Sequence, residues 1–123
     1  MVLIILLIGL IFTIMGYIFL KWPPKRINPI YGYRSRRSMR SQAAWDASQV
    51  YSARLMRTAG LGVLALSIPV WLTSGVELQY VPMGWVIILP LLASIIPAAV
   101  IIIQTENYLK THFDDKGEPK KIN

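Results

Sequence analysis

The sequence has no cysteine, which excludes disulfides, thiolate nucleophiles and cysteine-based metal sites. Its one histidine, His112, stands near Asp114 and Asp115 in a polar tail, a grouping that reads as solvated charge rather than as a metal site. Charge is scarce, at 15% of residues, and unbalanced, with thirteen Lys and Arg against six Asp and Glu. No phosphate loop, dinucleotide fingerprint or zinc signature occurs, and no carboxylate pair lies in the basic segment. A nucleophile with a base beside it is therefore missing, and the chain is expected to be non-enzymatic and to need no cofactor.

What is present is apolar sequence in blocks. Apolar residues make up 54% of the 123, enough for one domain, and they form runs rather than the periodic stripes of a soluble core. The expected fold is an all-α integral membrane protein, a single domain over residues 1–123 with transmembrane helices at residues 1–20, 55–73 and 82–103. The first run carries no charge. No basic residue precedes it and no small-x-small site closes it, so it is expected to remain as a span, stopped by the basic cluster that begins at Lys21. Pro23 and Pro24 cannot continue that helix, and Trp22 belongs at the membrane interface.

A motif loop and a juxtamembrane helix fill residues 21–54. Ser38 or Ser41 can cap that helix, and Arg54 and Arg57 anchor the second span by snorkelling. Pro69 is expected to kink that span. Residues 74–81 connect it to the third, which starts near Pro82, and residues 104–123 form a polar tail too short to fold alone. The spans carry no ionisable residue between their ends, which argues against ion-coupled transport. Small or helix-distorting residues share one face in each span: Gly9, Thr13 and Gly16; Thr58, Gly62, Ala65 and Pro69; Pro90, Ser94 and Pro97. Such faces are expected to pack the helices together or against another subunit.

Nine of the thirteen basic residues fall in residues 21–57, against Asp46 alone, whereas the connection at 74–81 has no Lys or Arg. That asymmetry places the basic segment in the cytoplasm, the N-terminus outside and the C-terminus inside. It also accounts for the net charge of +7 without nucleic acid as a partner.

Within the segment, residues 27–39 form a polar and aromatic island. Arg36, Arg37 and Arg40, with Arg54 and Arg57, are expected to set topology and hold anionic lipid head groups. Arg34 follows the turn Tyr31-Gly32-Tyr33, which can present it to a specific partner. Trp45 and Gln49, one helical turn apart, either dock back on the loop or stand as an interfacial indole and an exposed amide.

The pattern Asn28-x-x-Tyr31-Gly32-Tyr33-Arg34-Ser35-x-x-Ser38, then Trp45 and Gln49, resembles the hallmark of the SdpI family of bacterial membrane proteins. Ser35 stands where Thr is usual and keeps the hydroxyl. The resemblance implies a bacterial inner-membrane, multi-pass protein that acts in immunity against a secreted killing peptide, or in signalling through a cytosolic regulator. Asn28, Tyr31, Gly32, Arg34, Ser35, Ser38, Trp45 and Gln49 are then the partner-binding positions. A second expectation is a small accessory subunit of a larger membrane complex.

Overall fold

The computed structural model describes residues 1–77 and 81–121, without the side chains of residues 70 and 73–77. Among the described residues three helices make up the fold: α1 (Val2–Lys21), α2 (Gln42–Glu77) and α3 (Met83–His112). Among the described residues, α1 and α3 are the helices long and apolar enough by composition to cross a membrane. Their outer faces expose Leu3, Leu7, Ile11, Ile87, Ile95 and Ile103, as a lipid-facing surface would. α1 ends as the prolines demand, with the Trp22 N–H closing the last turn on the Ile18 carbonyl at 2.8 Å.

α1 and α2 pack antiparallel with their backbones nearly touching. A Cβ added to Gly16 would lie 2.4 Å from the Arg57 nitrogen, and one added to Gly60 would lie 2.4 Å from the Thr13 nitrogen. Thr13 donates its hydroxyl to the Gly9 carbonyl at 2.7 Å, which satisfies a polar group that lies in the seam against Gly60. The face read on the first helix, Gly9, Thr13 and Gly16, is thus the packing face. On α2 the register differs from the expected one. The seam uses Ala53, Gly60 and Leu64, whereas Gly62 has no atom within 4 Å of an added Cβ. Gly62 instead borders an open apolar cleft of about 520 Å³ between the three helices. On α3, Pro90 and Pro97 are buried as the pattern suggested, and the stripe continues through Ile101, Thr105 and Leu109.

The helix limits also differ from the sequence reading. The juxtamembrane helix and the second span are one unbroken helix of 36 residues, passing through Pro69 and on to Glu77. At roughly 1.5 Å per residue it is about 54 Å long, well beyond a bilayer core of about 30 Å. The first part of the expected connection is therefore helical, and residues 78–80 lie outside the described residues. α3 runs to His112, nine residues past the expected end at Ile103, so much of the presumed tail is helix. Past His112 the chain folds back as a turn, with a bridge between Phe113 and Pro119.

Candidate functional site

The polar end of the bundle is closed by a cap, and the motif residues build it. Ser41, rather than Ser38, caps α2: its hydroxyl accepts the Ala44 N–H at 3.0 Å and donates to the Gly117 carbonyl of the C-terminal turn. One turn into α2, Trp45 is fully buried and its indole N–H donates to the Pro24 carbonyl at 2.7 Å. The next turn brings Gln49. Its Oε1 accepts the Tyr33 N–H at 2.7 Å and its Nε2 donates to the Tyr33 carbonyl at 2.8 Å, so the amide pairs with the loop as a neighbouring strand would.

Gly32 makes that pairing possible. Its φ of +99° is open to glycine and strained for other residues. A Cβ there would meet Gln49 Oε1 at 2.6 Å and Pro24 Cγ at 2.7 Å. Asn28 shapes the turn before it, accepting the N–H groups of Ile30 and Tyr31 at 2.9 and 3.0 Å. Arg34 donates back to the Pro29 carbonyl, so the same chain supplies a partner for its guanidinium. Ser35 and Ser38 satisfy each other's N–H groups through their hydroxyls, at 3.1 and 2.8 Å, and Ser38 is fully buried.

α3 enters the cap through Glu106, which the sequence reading left in the polar tail. The Tyr33 hydroxyl donates to Glu106 Oε1 at 2.8 Å, and the Arg37 guanidinium lies 3.6 Å from the other carboxylate oxygen. Burial, with the hydrogen bond and charge of Glu106 in support, pushes the Tyr33 phenol well above its ordinary value. The only hint in the sequence is position: Glu106 is the sole acid between Glu77 and Asp114, just past the apolar run of α3. Tyr51 stacks on Tyr108 with ring centres 4.3 Å apart, and Tyr108 on His112 at 4.2 Å, which fixes the α3 extension against α2. Asp114 holds the final turn by accepting the Glu118 and Lys116 N–H groups, each at 2.8 Å. These bonds, the Glu118 one first, keep its carboxyl below the usual range.

Seven of the eight expected partner-binding residues are thus tied into the cap itself by side-chain bonds or, for Gly32, by backbone shape. Tyr31 differs: its ring is about half exposed, and Ile30 beside it is 79% exposed. Of the five arginines expected at lipid head groups, Arg37 faces Glu106 and Arg40 lies 3.5 Å from Asp115. Arg36, Arg54 and Arg57 are exposed. Chemically the cap is a web of hydroxyl, amide and backbone bonds that holds a surface in place.

Apolar helices sheathed in exposed hydrocarbon and closed at one end by a polar cap define a helical membrane protein. More specifically, the chain belongs to the SdpI/YfhL protein family, whose model matches residues 25–104, from the loop through α2 and most of α3. It is 42% identical over 60 residues to YfhL of Bacillus subtilis (strain 168), described as an uncharacterized protein. That match covers 49% of this chain and 54% of YfhL, so the chain spans about half the length of this relative. No solved structure matches.

Proposed function

We propose that the chain is a three-span protein of the bacterial inner membrane whose cap faces the cytoplasm as a recognition platform, and that the process it serves is immunity against a secreted killing peptide. α2 supplies the third span: its segment alongside α1 exposes Leu61, Leu66, Ile68, Trp71 and Leu72. The basic residues cluster at the capped end, which by the charge rule is the inner one.

The observation that carries this reading is the internal satisfaction of the motif. Backbone and side chains are fixed before any partner arrives, so little ordering entropy is lost when Tyr31, Ile30 and the outer arginines meet one. The test is survival of a peptide-sensitive Gram-positive strain expressing the chain, beside Tyr31→Ala and Arg34→Ala at matched membrane levels. Protection by the unaltered chain, lost in the variants, is the expected result. Absence of protection by the unaltered chain would overturn immunity.

The apolar cleft favours one further reading, an accessory subunit that receives a helix of a larger complex beside Gly62. In that case Gly62→Leu removes copurifying membrane proteins, whereas Tyr31→Ala leaves them in place.

A further inference from the structure

Beside the polar end of α1 the loop leaves an open depression of about 480 Å³, lined among others by Trp22, Lys25, Arg26, Ile30 and Tyr31. The Lys and Arg side chains in that lining are Lys25 and Arg26, and it contains no Asp or Glu. Asp46, the acid of the basic segment, borders an adjoining depression that shares Pro23 and Lys25 with this one, and its carboxylate is engaged there by Gln42 Nε2, which donates to it at 2.7 Å. The apolar side chains are turned outward: Trp22 is 63% exposed and Ile30 79%. A third cation, Lys21, lies 4.7 Å from the centre of the Trp22 ring.

The depth of this depression is fixed by the helix seam. Gly16 rests on the Arg57 backbone, so Arg54 and Arg57 lie level with the last turns of α1, where Tyr17, Lys21 and Trp22 follow. Aromatic rings and snorkelling cations at one level mark the zone of lipid head groups. Trp22 is joined directly to the span and cannot leave that zone. Among the other candidates for lipid contact within the loop, Arg37 and Arg40 face Glu106 and Asp115, and Arg36 is exposed but does not line the depression.

We infer that this depression binds the head group of an anionic phospholipid, with Lys25 and Arg26 on the phosphate and Trp22 at the boundary with the acyl chains. The inference requires the membrane class and is independent of immunity. Each cation near an anionic bilayer surface is worth about fivefold in binding, so loss of both costs roughly thirtyfold.

The test titrates the purified full chain in detergent with phosphatidylglycerol and, separately, phosphatidylcholine of the same acyl chains, counting bound lipid by native mass spectrometry. The unaltered chain is expected to retain phosphatidylglycerol preferentially. Lys25→Gln with Arg26→Gln is expected to lose most of that preference, while Lys116→Gln with Lys121→Gln, an equal loss of charge at exposed sites away from the depression, keeps it. Equal retention of both lipids by the unaltered chain overturns the inference, as does an equal loss in the two double variants. The charge changes are at exposed side chains, and retained helical circular dichroism identifies a variant that is still folded.

Discussion

Gly32 and Gln49 together decide whether the loop closes on α2. At Gly32 any side chain meets two obstacles, a left-handed backbone at φ +99° and the Gln49 amide 2.6 Å from the added Cβ. Gly32→Val is therefore expected to destabilise the protein by ~1–3 kcal/mol, measured as a lowered unfolding midpoint in detergent. Gln49→Leu keeps the bulk but strands the Tyr33 N–H, at about 1–3 kcal/mol, while the Tyr33 carbonyl loses one of two donors and keeps the Ser38 hydroxyl at 3.2 Å. Tyr33 carries a pH signature. Its phenol ionises at 10.0 in the unfolded reference and only above that value in the folded protein. Its contribution to stability is thus complete below pH 10.0 and falls as pH rises towards the folded value. Alkaline unfolding curves of Tyr33→Phe should lack that loss, and in a tyrosinate absorbance titration the variant should lack a late-ionising tyrosine that the unaltered protein shows.

At the scale of elements, the seam between α1 and α2 and the cleft beside it make opposite predictions for two glycines on one helix. Gly60→Ala drives a methyl group into the Thr13 backbone, 2.4 Å away, and is expected to cost ~1–3 kcal/mol. Gly62→Ala meets open space and should stay within about 0.5 kcal/mol of the unaltered chain. The two unfolding midpoints, taken in the same detergent, check the register of the seam. The sequence pattern had favoured Gly62 because small residues four and seven apart line one face. Spacing shows that a face is small, not which of two small faces meets the neighbour. α1 was legible from an uncharged run ended by Pro23 and Pro24. The continuity of α2 was not, because its first turns are polar and read as a separate surface helix. Those turns are stable as helix because Trp45 and Gln49 are bonded to the loop, a tertiary effect that local pattern does not contain.

For the whole molecule, the membrane class and the identity of the cap-building residues were legible, since Asn28, Gly32, Trp45 and Gln49 are unusual in type and spacing. The docking of Trp45 and Gln49 on the loop was one of the two readings the sequence left open, and it is the one found. The bonds of Arg34, Ser35 and Ser38 within the loop were not legible, because polar groups near a partner surface read as binding groups whether or not the chain itself also engages them. The α3 extension and the turn at residues 113–119 also escaped the sequence, because their charged residues look like solvated tail until Glu106 and Asp115 are set against Arg37 and Arg40. The central claim is that the motif forms a closed cap on the cytoplasmic side, and the cysteine-free chain is a ready background for testing it. The most direct measurement is labelling of two single-cysteine variants, Arg36→Cys and Ser38→Cys, with a membrane-impermeant thiol reagent in intact cells and after permeabilisation. Arg36 is exposed and Ser38 fully buried two residues away. The account predicts that Arg36→Cys reacts only after permeabilisation and that Ser38→Cys reacts in neither case. Labelling of Arg36→Cys in intact cells would reverse the orientation, and equal labelling of the two variants after permeabilisation would show an open loop and contradict the cap.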